Sequence, residues 1–153
     1  MRVFEIPGAG SLKFDHLVLD LNGTLSDRGE LIRGVNGRVK RLSGYLVLHL
    51  VTADTFGTAA QLASRLGLPL TTIATGADKA AFVTGLGADV TVAIGNGRND
   101  EAMLRAARLG IAVIGPEGAA SATLRAADVV CRSVTDALDV LLDERLLIAT
   151  LRL

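Results

Sequence analysis

Four polar signals stand directly after strand-like segments, and their residue types suit phosphoryl transfer. Asp20 follows the run LVL, Thr52 ends LVLHLVT, Lys79 begins a helical pattern in TGADKAAF, and GNGRND (95–100) follows VAI. Ligands of open parallel sheets bind beyond the carboxyl ends of the strands, so these residues are expected to meet at one edge. Asp20 would then attack phosphorus in line, while the Thr52 hydroxyl and the Lys79 ammonium hold phosphate oxygens.

The same edge also offers oxygen ligands for a metal ion. Asp20 and Asp100 are expected to coordinate Mg²⁺, a hard cation that prefers oxygen donors and keeps several waters. We assign phosphate or substrate contacts to residues that flank the four signals: Gly23, Thr24, Ala53, Asp54 and Asn99. Each signal has a simpler interpretation, since Asx turns, helix caps and solvated lysines are common at such places. Their joint placement at one edge favours a site.

Composition limits the remaining functions. The chain has 153 residues, 50% of them hydrophobic, which predicts one globular domain over 1–153. Lysine plus arginine equals aspartate plus glutamate at 16 each and only 3% of residues are aromatic, which disfavours nucleic acid as a partner. A single cysteine, Cys131, and the lack of a long apolar run predict a cytoplasmic protein without membrane contact. A small phosphorylated molecule is the expected substrate.

Strand and helix patterns alternate along the chain and predict an α/β fold. The expected architecture is a single doubly wound, mostly parallel sheet with helices on both faces and no cap domain. Strands are predicted at 16–21, 45–52, 70–74, 90–94, 110–114 and 128–131, and helices at 59–66, 100–109, 119–126 and 134–142. Residues 2–6 and 147–153 alternate with a strand-like period of two, which predicts an antiparallel pair formed by the chain ends.

The order of these motifs resembles the haloacid dehalogenase (HAD) superfamily of aspartate-nucleophile phosphatases. DLNGTL (20–25), the strand ending at Thr52, Lys79 and GNGRND followed by EAML stand where the family has its four motifs. The last motif is similar to GDGxND-x-x-AL of P-type ATPases. The chain looks most like small soluble proteins related to their catalytic domain. The resemblance implies an aspartyl-phosphate at Asp20 and a metal site that includes the backbone carbonyl of Asn22.

Two positions depart from the family pattern. Asn22 stands where the family's phosphatases carry an aspartate that donates a proton to the leaving group, and losing such a group typically costs ~10²–10⁴ in rate. Asn96 stands where the last motif usually has an aspartate, so the metal set Asp20, Asn22, Asn96 and Asp100 is expected to bind Mg²⁺ with reduced affinity. P-type ATPases have Thr at the first position and use a good leaving group. A slow Mg²⁺-dependent hydrolase, either a phosphatase or an ATPase-like enzyme, therefore remains the leading prediction, and an impaired phosphate- or protein-binding regulatory subunit is the alternative.

The segment after the Asp20 loop, the histidines, the cysteine and Arg98 have less specific interpretations. The resemblance implies a flap hairpin at 26–33, and a homo-oligomer is a fair expectation because a capless site stays open to solvent. His16, His49 and Cys131 are interpreted as structural residues. Arg98 within GNGRND could reach a substrate phosphate or face solvent, and the sequence leaves both interpretations open.

Overall fold

A six-stranded parallel sheet forms the centre of the protein in the computed structural model, which describes residues 1–53 and 57–153. Its strands are β3 (His16–Asp20), β6 (Val47–Thr52), β7 (Leu70–Thr72), β8 (Thr91–Gly95), β9 (Leu109–Val113) and β10 (Val129–Cys131). They lie in the order β10-β9-β8-β3-β6-β7, and every neighbouring pair is parallel. The predicted fold class and all six predicted core strands are thereby confirmed.

Helices cover both faces of this sheet. They are α1 (Val35–Leu42), α2 (Ala59–Leu66), α3 (Gly76–Leu86), α4 (Glu101–Ala106), α5 (Ser121–Ala126), α6 (Val134–Leu142) and α7 (Glu144–Leu151). Successive residues of a strand point to opposite faces. Leu17 and Leu19 of β3 therefore pack among residues of α1, α2, α6 and α7, whereas Val18 packs with α3 and α4.

The two chain ends contradict the sequence-based prediction that they pair as strands. Residues 147–151 belong to α7, whose first turn is capped because the Asp143 side chain accepts a hydrogen bond from the Arg145 backbone NH. Leu147 is fully buried, and Leu151, four residues on, faces the same core, so a helical period explains the apolar residues better than alternation does. The prediction was wrong because both periods fit this short apolar stretch.

The partner of the first strand lies close to it in sequence. β1 (Arg2–Ile6) pairs antiparallel with β2 (Gly10–Phe14), and α7 packs against this hairpin. Closing a short loop costs less entropy than joining two chain ends, which favours the local pair. The chain ends still meet, since the Leu153 NH donates to the Pro7 carbonyl at 3.1 Å.

The segment between β3 and α1 forms the predicted flap. Strands β4 (Ser26–Asp27) and β5 (Glu30–Leu31) pair antiparallel directly after the Asp20 loop. Between β3 and β6 the chain holds this hairpin and one helix, so no cap domain is inserted there. Within the described residues, no helix is long and apolar enough to cross a membrane.

Candidate active site

The parallel sheet brings the four sequence signals to one edge. Asp20 and Thr52 are the last residues of neighbouring strands β3 and β6. The loop that begins at Asn96 follows β8, on the other side of β3. Lys79 comes from the first turns of α3, a helix whose N-terminus is capped by the Thr75 hydroxyl. These residues stand close together because parallel strands end at the same edge.

Lys79 lies between two carboxylates in the interior of the protein. Its Nζ donates to Asp20 Oδ1 at 2.8 Å and to Asp100 Oδ1 at 2.7 Å, and the lysine and Asp100 side chains are fully buried. Burial alone would lower the pKa of Lys79, but the two carboxylates together raise it above its usual value. The lysine is therefore the cation of this triad, whose formal charge is −1 when both carboxylates are ionised.

The Asp20 carboxylate has an unusual protonation equilibrium. Its pKa is raised from 3.8 to about 7, chiefly by burial and then by the nearby Asp100, against the opposing effects of Lys79 and Thr24. The Thr24 hydroxyl lies 3.1 Å from Asp20 Oδ2 and 3.1 Å from Asn96 Oδ1. A hydroxyl has one proton, so it satisfies only one of these acceptors at a time. The other acceptor is open to a proton or a cation.

Asp100 organises the loop that contains it. Its Oδ2 accepts hydrogen bonds from the backbone NH groups of Asn96 at 2.9 Å and Gly97 at 3.0 Å, while its Oδ1 accepts from Lys79. Both carboxylate oxygens are thus engaged within the protein. The sequence-based assignment of Asp100 as a metal ligand stays a prediction, and the contacts seen here favour a role in positioning Lys79 and the loop.

The two asparagines that depart from the family pattern are both engaged by neighbours. Asn96 Nδ2 donates to the Gly118 carbonyl at 3.0 Å, so this amide holds the turn that follows β9. Asn22 Nδ2 donates to Thr52 Oγ1 at 3.4 Å, and Ser26 Oγ donates to Asn22 Oδ1 at 3.4 Å. Asn22 therefore ties the end of β6 to the flap.

A small cleft of about 150 Å³ opens at this edge. It is lined by the predicted site residues Asp20, Asn22, Thr52, Ala53, Asn96 and Asn99, and by Gly97 and Glu117, which the sequence analysis did not single out. Pockets for whole drug-sized ligands measure roughly 300–1,000 Å³, so this cleft suits a phosphate group with the rest of a substrate outside it.

Other predicted residues lie around the cleft or away from it. Gly23 has a φ of 75° and allows the tight turn next to Asp20. Thr24 is buried against Asp20, and Asp54 lies outside the described residues. Arg98 is 80% exposed and pairs with Glu101 at 3.3 Å, at a larger groove between α3 and α4, which favours its solvent-facing interpretation.

The histidines and the cysteine take structural positions. His49 Nε2 lies 3.3 Å from His16 Nδ1 on the neighbouring strand, and its ring packs edge-on against Phe82. Burial, and then the charge of His16, lower the pKa of His49. Cys131 is buried in the core, which raises its thiol pKa to about 11.

The donor chemistry of the cleft fits a hard divalent cation. The side chains lining it supply carboxylate, amide and hydroxyl oxygens, which Mg²⁺ prefers. The buried triad next to it has a formal charge of −1, and one acceptor next to Thr24 remains open. Within residues 1–53 and 57–153, no three His, Cys, Asp or Glu side chains cluster tightly enough to hold a metal by themselves. The site therefore fits a cation held partly by neutral oxygens.

The chain was compared with known proteins at the level of sequence. No family model matches it. It is 56% identical over 61 residues to an uncharacterised protein of Methanocaldococcus jannaschii, an alignment that covers 40% of this chain and 66% of that protein. The chain thus spans slightly less than two thirds of that relative.

Comparison of folds finds phosphatases. The cobalt-bound deoxy-D-mannose-octulosonate 8-phosphate phosphatase of Haemophilus influenzae superposes with a TM-score of 0.70 at 14% identity, over 91% of this chain and 93% of that one. The 3-deoxy-D-manno-octulosonate 8-phosphate phosphatase of Moraxella catarrhalis, in complex with magnesium ion, phosphate and the sugar acid, gives 0.66 at 19% identity, over 91% and 94%.

A transport ATPase is also similar. A zinc-transporting PIB-type ATPase in its E2.Pi state gives a TM-score of 0.64 at 26% identity, over 78% of this chain and 20% of the ATPase. Together, the structural similarities confirm the HAD-superfamily fold that the four motifs predict.

Proposed function

We propose that this chain, which has the HAD-superfamily fold, is a Mg²⁺-dependent phosphohydrolase that forms an aspartyl-phosphate on Asp20. The observation that supports the proposal most strongly is the buried Lys79 ammonium, which is held between Asp100 and Asp20, the nucleophile candidate that lines the cleft. Three buried charges with a net charge of −1 destabilise a fold unless something compensates them, so their presence points to a chemical role.

Each residue at the cleft has a definite part in the proposed reaction. An Asp20 carboxylate oxygen forms a bond to phosphorus as the bond from phosphorus to the leaving oxygen breaks, and the electron pair departs with the leaving group. Lys79 and the Thr52 hydroxyl stabilise the charge on the phosphate oxygens. Water then attacks phosphorus, releases inorganic phosphate and a proton, and restores the Asp20 carboxylate.

The metal would be held by Asp20, the backbone carbonyl of Asn22 and the cleft residue Asn96, with Asp100 positioning Lys79 and the loop. Mg²⁺, when bound, would neutralise charge on the phosphate and orient it toward Asp20. Its charge would also favour the ionised form of Asp20, whose pKa of about 7 leaves much of it protonated in the metal-free protein at neutral pH.

Asn22 restricts the substrates that this site can use well. Its amide is bonded to Thr52 and cannot transfer a proton at neutral pH, so a leaving group must depart without protonation. Acyl phosphates, aryl phosphates and nucleoside triphosphates meet that condition, and alkyl esters such as sugar phosphates do not. We therefore propose a small phosphorylated compound with a good leaving group as the substrate.

The experiment is a substrate screen with Mg²⁺ in which Asp20→Asn serves as the blank. Asp89→Asn is the matched control, because Asp89 is exposed in the turn before β8, at the opposite end of the sheet. We expect phosphate release by the parent and Asp89→Asn, none by Asp20→Asn, and a phosphoryl group on the Asp20 peptide after an acid quench. Equal release by parent and Asp20→Asn would overturn the proposal.

A regulatory, phosphate-binding role is the second candidate. It is favoured by the two amides at positions 22 and 96, both of which are used for structural hydrogen bonds. Binding of inorganic phosphate or vanadate by the parent, together with no turnover of any activated phosphate, would make this role the better explanation. Sedimentation of the purified chain would at the same time test the expected homo-oligomer.

A further inference from the structure

Among the described residues that line the cleft, Glu117 is the acidic one that none of the four motifs contains. It stands in the turn that follows β9, and it lines the cleft together with Asp20 and Asn22. Its carboxylate occupies the space that a side chain on residue 23 would need, next to the glycine of the Asp20 loop. Asn96 Nδ2 lies 3.1 Å from that same point. Glu117 therefore presents its charge where the Asp20 loop and the β8 loop meet.

Backbone contacts set the position of this turn. The Gly118 NH donates to the Gly115 carbonyl at 2.9 Å, and the Ile114 NH donates to the Cys131 carbonyl at 3.0 Å. Gly115 lies directly against the Gly23 carbonyl oxygen, so any side chain at 115 would collide with the Asp20 loop. The turn and the Asp20 loop are thus in van der Waals contact, which leaves little freedom in the distance from Glu117 to the cleft.

Asn96 ties the same turn to the site through its side chain. Its Nδ2 donates to the Gly118 carbonyl, and the Asn96 carbonyl accepts from the Ala120 NH at 2.9 Å. An aspartate at 96 has no proton to donate and would face the Gly118 carbonyl with a negative charge. Asn96 therefore leaves position 96 without a carboxylate, but its amide holds the turn that brings the Glu117 carboxylate to the cleft.

The negative charges at the cleft favour the binding of a cation. Among the described residues that line it, Asp20 and Glu117 are the charged ones, and both are acidic. No ion pair of Glu117 is found within residues 1–53 and 57–153. Lys79 is bound to Asp20 Oδ1 and Asp100 Oδ1 and does not itself line the cleft. Two carboxylates that share one small cleft repel each other unless a positive charge lies between them.

We infer that Glu117 is a carboxylate ligand of the divalent cation, and that it replaces the negative charge that position 96 lacks. The inference deepens the proposed function, because it assigns the cation of that same site to Asp20, the Asn22 carbonyl and Glu117. Glutamate and aspartate oxygens are ligands that Mg²⁺ and Mn²⁺ both accept.

The test measures Mn²⁺ binding without substrate. Mn²⁺ is added to metal-stripped protein, and the Mn²⁺ that remains free is quantified by electron paramagnetic resonance. Glu117→Gln keeps the size of the side chain and removes its charge, and Glu5→Gln, on the exposed side of β1, is the matched control. We expect Glu117→Gln to weaken binding ~10-fold or more, the scale of one lost carboxylate ligand, and Glu5→Gln to leave it unchanged. Thermal unfolding of the metal-free proteins should coincide, since Glu117 is exposed and its loss should cost the fold little.

Asp20→Asn separates the two hypotheses. If Asp20→Asn weakens Mn²⁺ binding and Glu117→Gln does not, the inference on Glu117 is wrong and the metal site of the proposed function stands. If neither substitution changes Mn²⁺ binding, or the parent binds none, both the inference and the metal-dependent function fail. Weakening by both substitutions supports both.

Discussion

Two ion clusters in this molecule differ in burial and in charge balance. Lys79, Asp20 and Asp100 form a buried triad with a formal charge of −1. Arg38 and Asp139 form a balanced pair on the surface, where α1 meets α6, and their side chains are 31% and 35% exposed. The surface pair has the better geometry, because two nitrogens of Arg38 each donate to a different Asp139 oxygen at 2.8 Å.

The difference is the one expected between a structural ion pair and the functional cluster that we propose. Solvent screens the Arg38–Asp139 pair, and such pairs contribute about 0–1 kcal/mol to stability. Burial of the triad costs desolvation free energy that its own contacts do not fully offset, because one of its charges is unbalanced. A fold keeps such a group where the charge serves binding or chemistry. Substitutions in the triad should therefore change stability and activity more than substitutions in the surface pair.

Lys79→Met should have the largest effect. It leaves Asp20 and Asp100 facing each other without their cation, so we expect the free energy of unfolding to fall by ~3–5 kcal/mol in urea titrations. Phosphate release should fall ~10²-fold or more, since a donor to the phosphate oxygens is lost. Arg38→Met is the control, with an expected cost of about 1 kcal/mol or less. Similar losses of stability for the two variants would remove the distinction between the clusters.

Asn22→Asp should raise the phosphatase activity of the site. A carboxyl at this position restores a general acid and base, so turnover of poor leaving groups should rise by ~10² or more in steady-state assays with Mg²⁺. Activated phosphates should gain less. Because Asn22-Gly23 is a pair prone to deamidation, mass analysis of the peptide must show that the parent still has asparagine. A freshly prepared, folded Asn22→Asp protein that hydrolyses nothing faster than the parent would favour the regulatory role.

The buried triad should also make stability depend on pH. The pKa of Asp20 is about 7 in the folded protein against 3.8 ordinarily, so the folded state binds this proton more tightly than the unfolded state does. Its contribution is complete below pH 4 and disappears as the pH rises through 7. In EDTA, the free energy of unfolding of the parent should therefore fall relative to Asp20→Asn by about 2.5 kcal/mol between pH 5 and pH 8.

Mg²⁺ provides the control for that titration. A cation at the cleft compensates the ionised carboxylate, so adding Mg²⁺ at pH 8 should raise the melting temperature of the parent more than that of Asp20→Asn. If the free energies of unfolding of the parent and of Asp20→Asn change in parallel from pH 5 to pH 8, folding does not raise the pKa of Asp20.

The surface pair should show the smallest effect. A double-mutant cycle with Arg38→Met and Asp139→Asn, measured by urea unfolding, should give a coupling energy below about 1 kcal/mol. The coupling should shrink further at 1 M salt, where exposed charges are screened over about 3 Å. A coupling energy as large as the loss of unfolding free energy caused by Lys79→Met would show that the two clusters do not differ in this way.

The sequence predicted much of the sheet and the edge at which the candidate site lies. The runs of Leu and Val that end at Asp20 and Thr52 can be read as buried parallel strands, because such strands are apolar on both faces. Once the strands are parallel, their carboxyl ends must lie together, which brings Asp20, Thr52 and the loop after β8 to one edge. The flap at 26–33 followed from the family resemblance and is present as β4 and β5.

Other features depended on contacts between residues far apart in the chain. The segment 147–153 fits a strand and a helix equally well, and packing of Leu147 into the core selects the helix. The Asn96 side chain donates to a carbonyl 22 residues away, a use that its identity as an amide does not reveal. Glu117 could have been noticed as one more polar residue after a predicted strand, but nothing local indicates that it shares a cleft with Asp20.

Sequence alone thus determined which strands form the central sheet and which of their ends carry polar groups, because apolar runs and their period depend on neighbouring residues. The tertiary structure decided the charge of the site. It buried Lys79 between two carboxylates, turned Asp100 toward the backbone of its own loop, and brought Glu117 to the cleft through the contact of Gly115 with Gly23. Burial and distance set the strength of electrostatic interactions, and both exist only after the chain has folded.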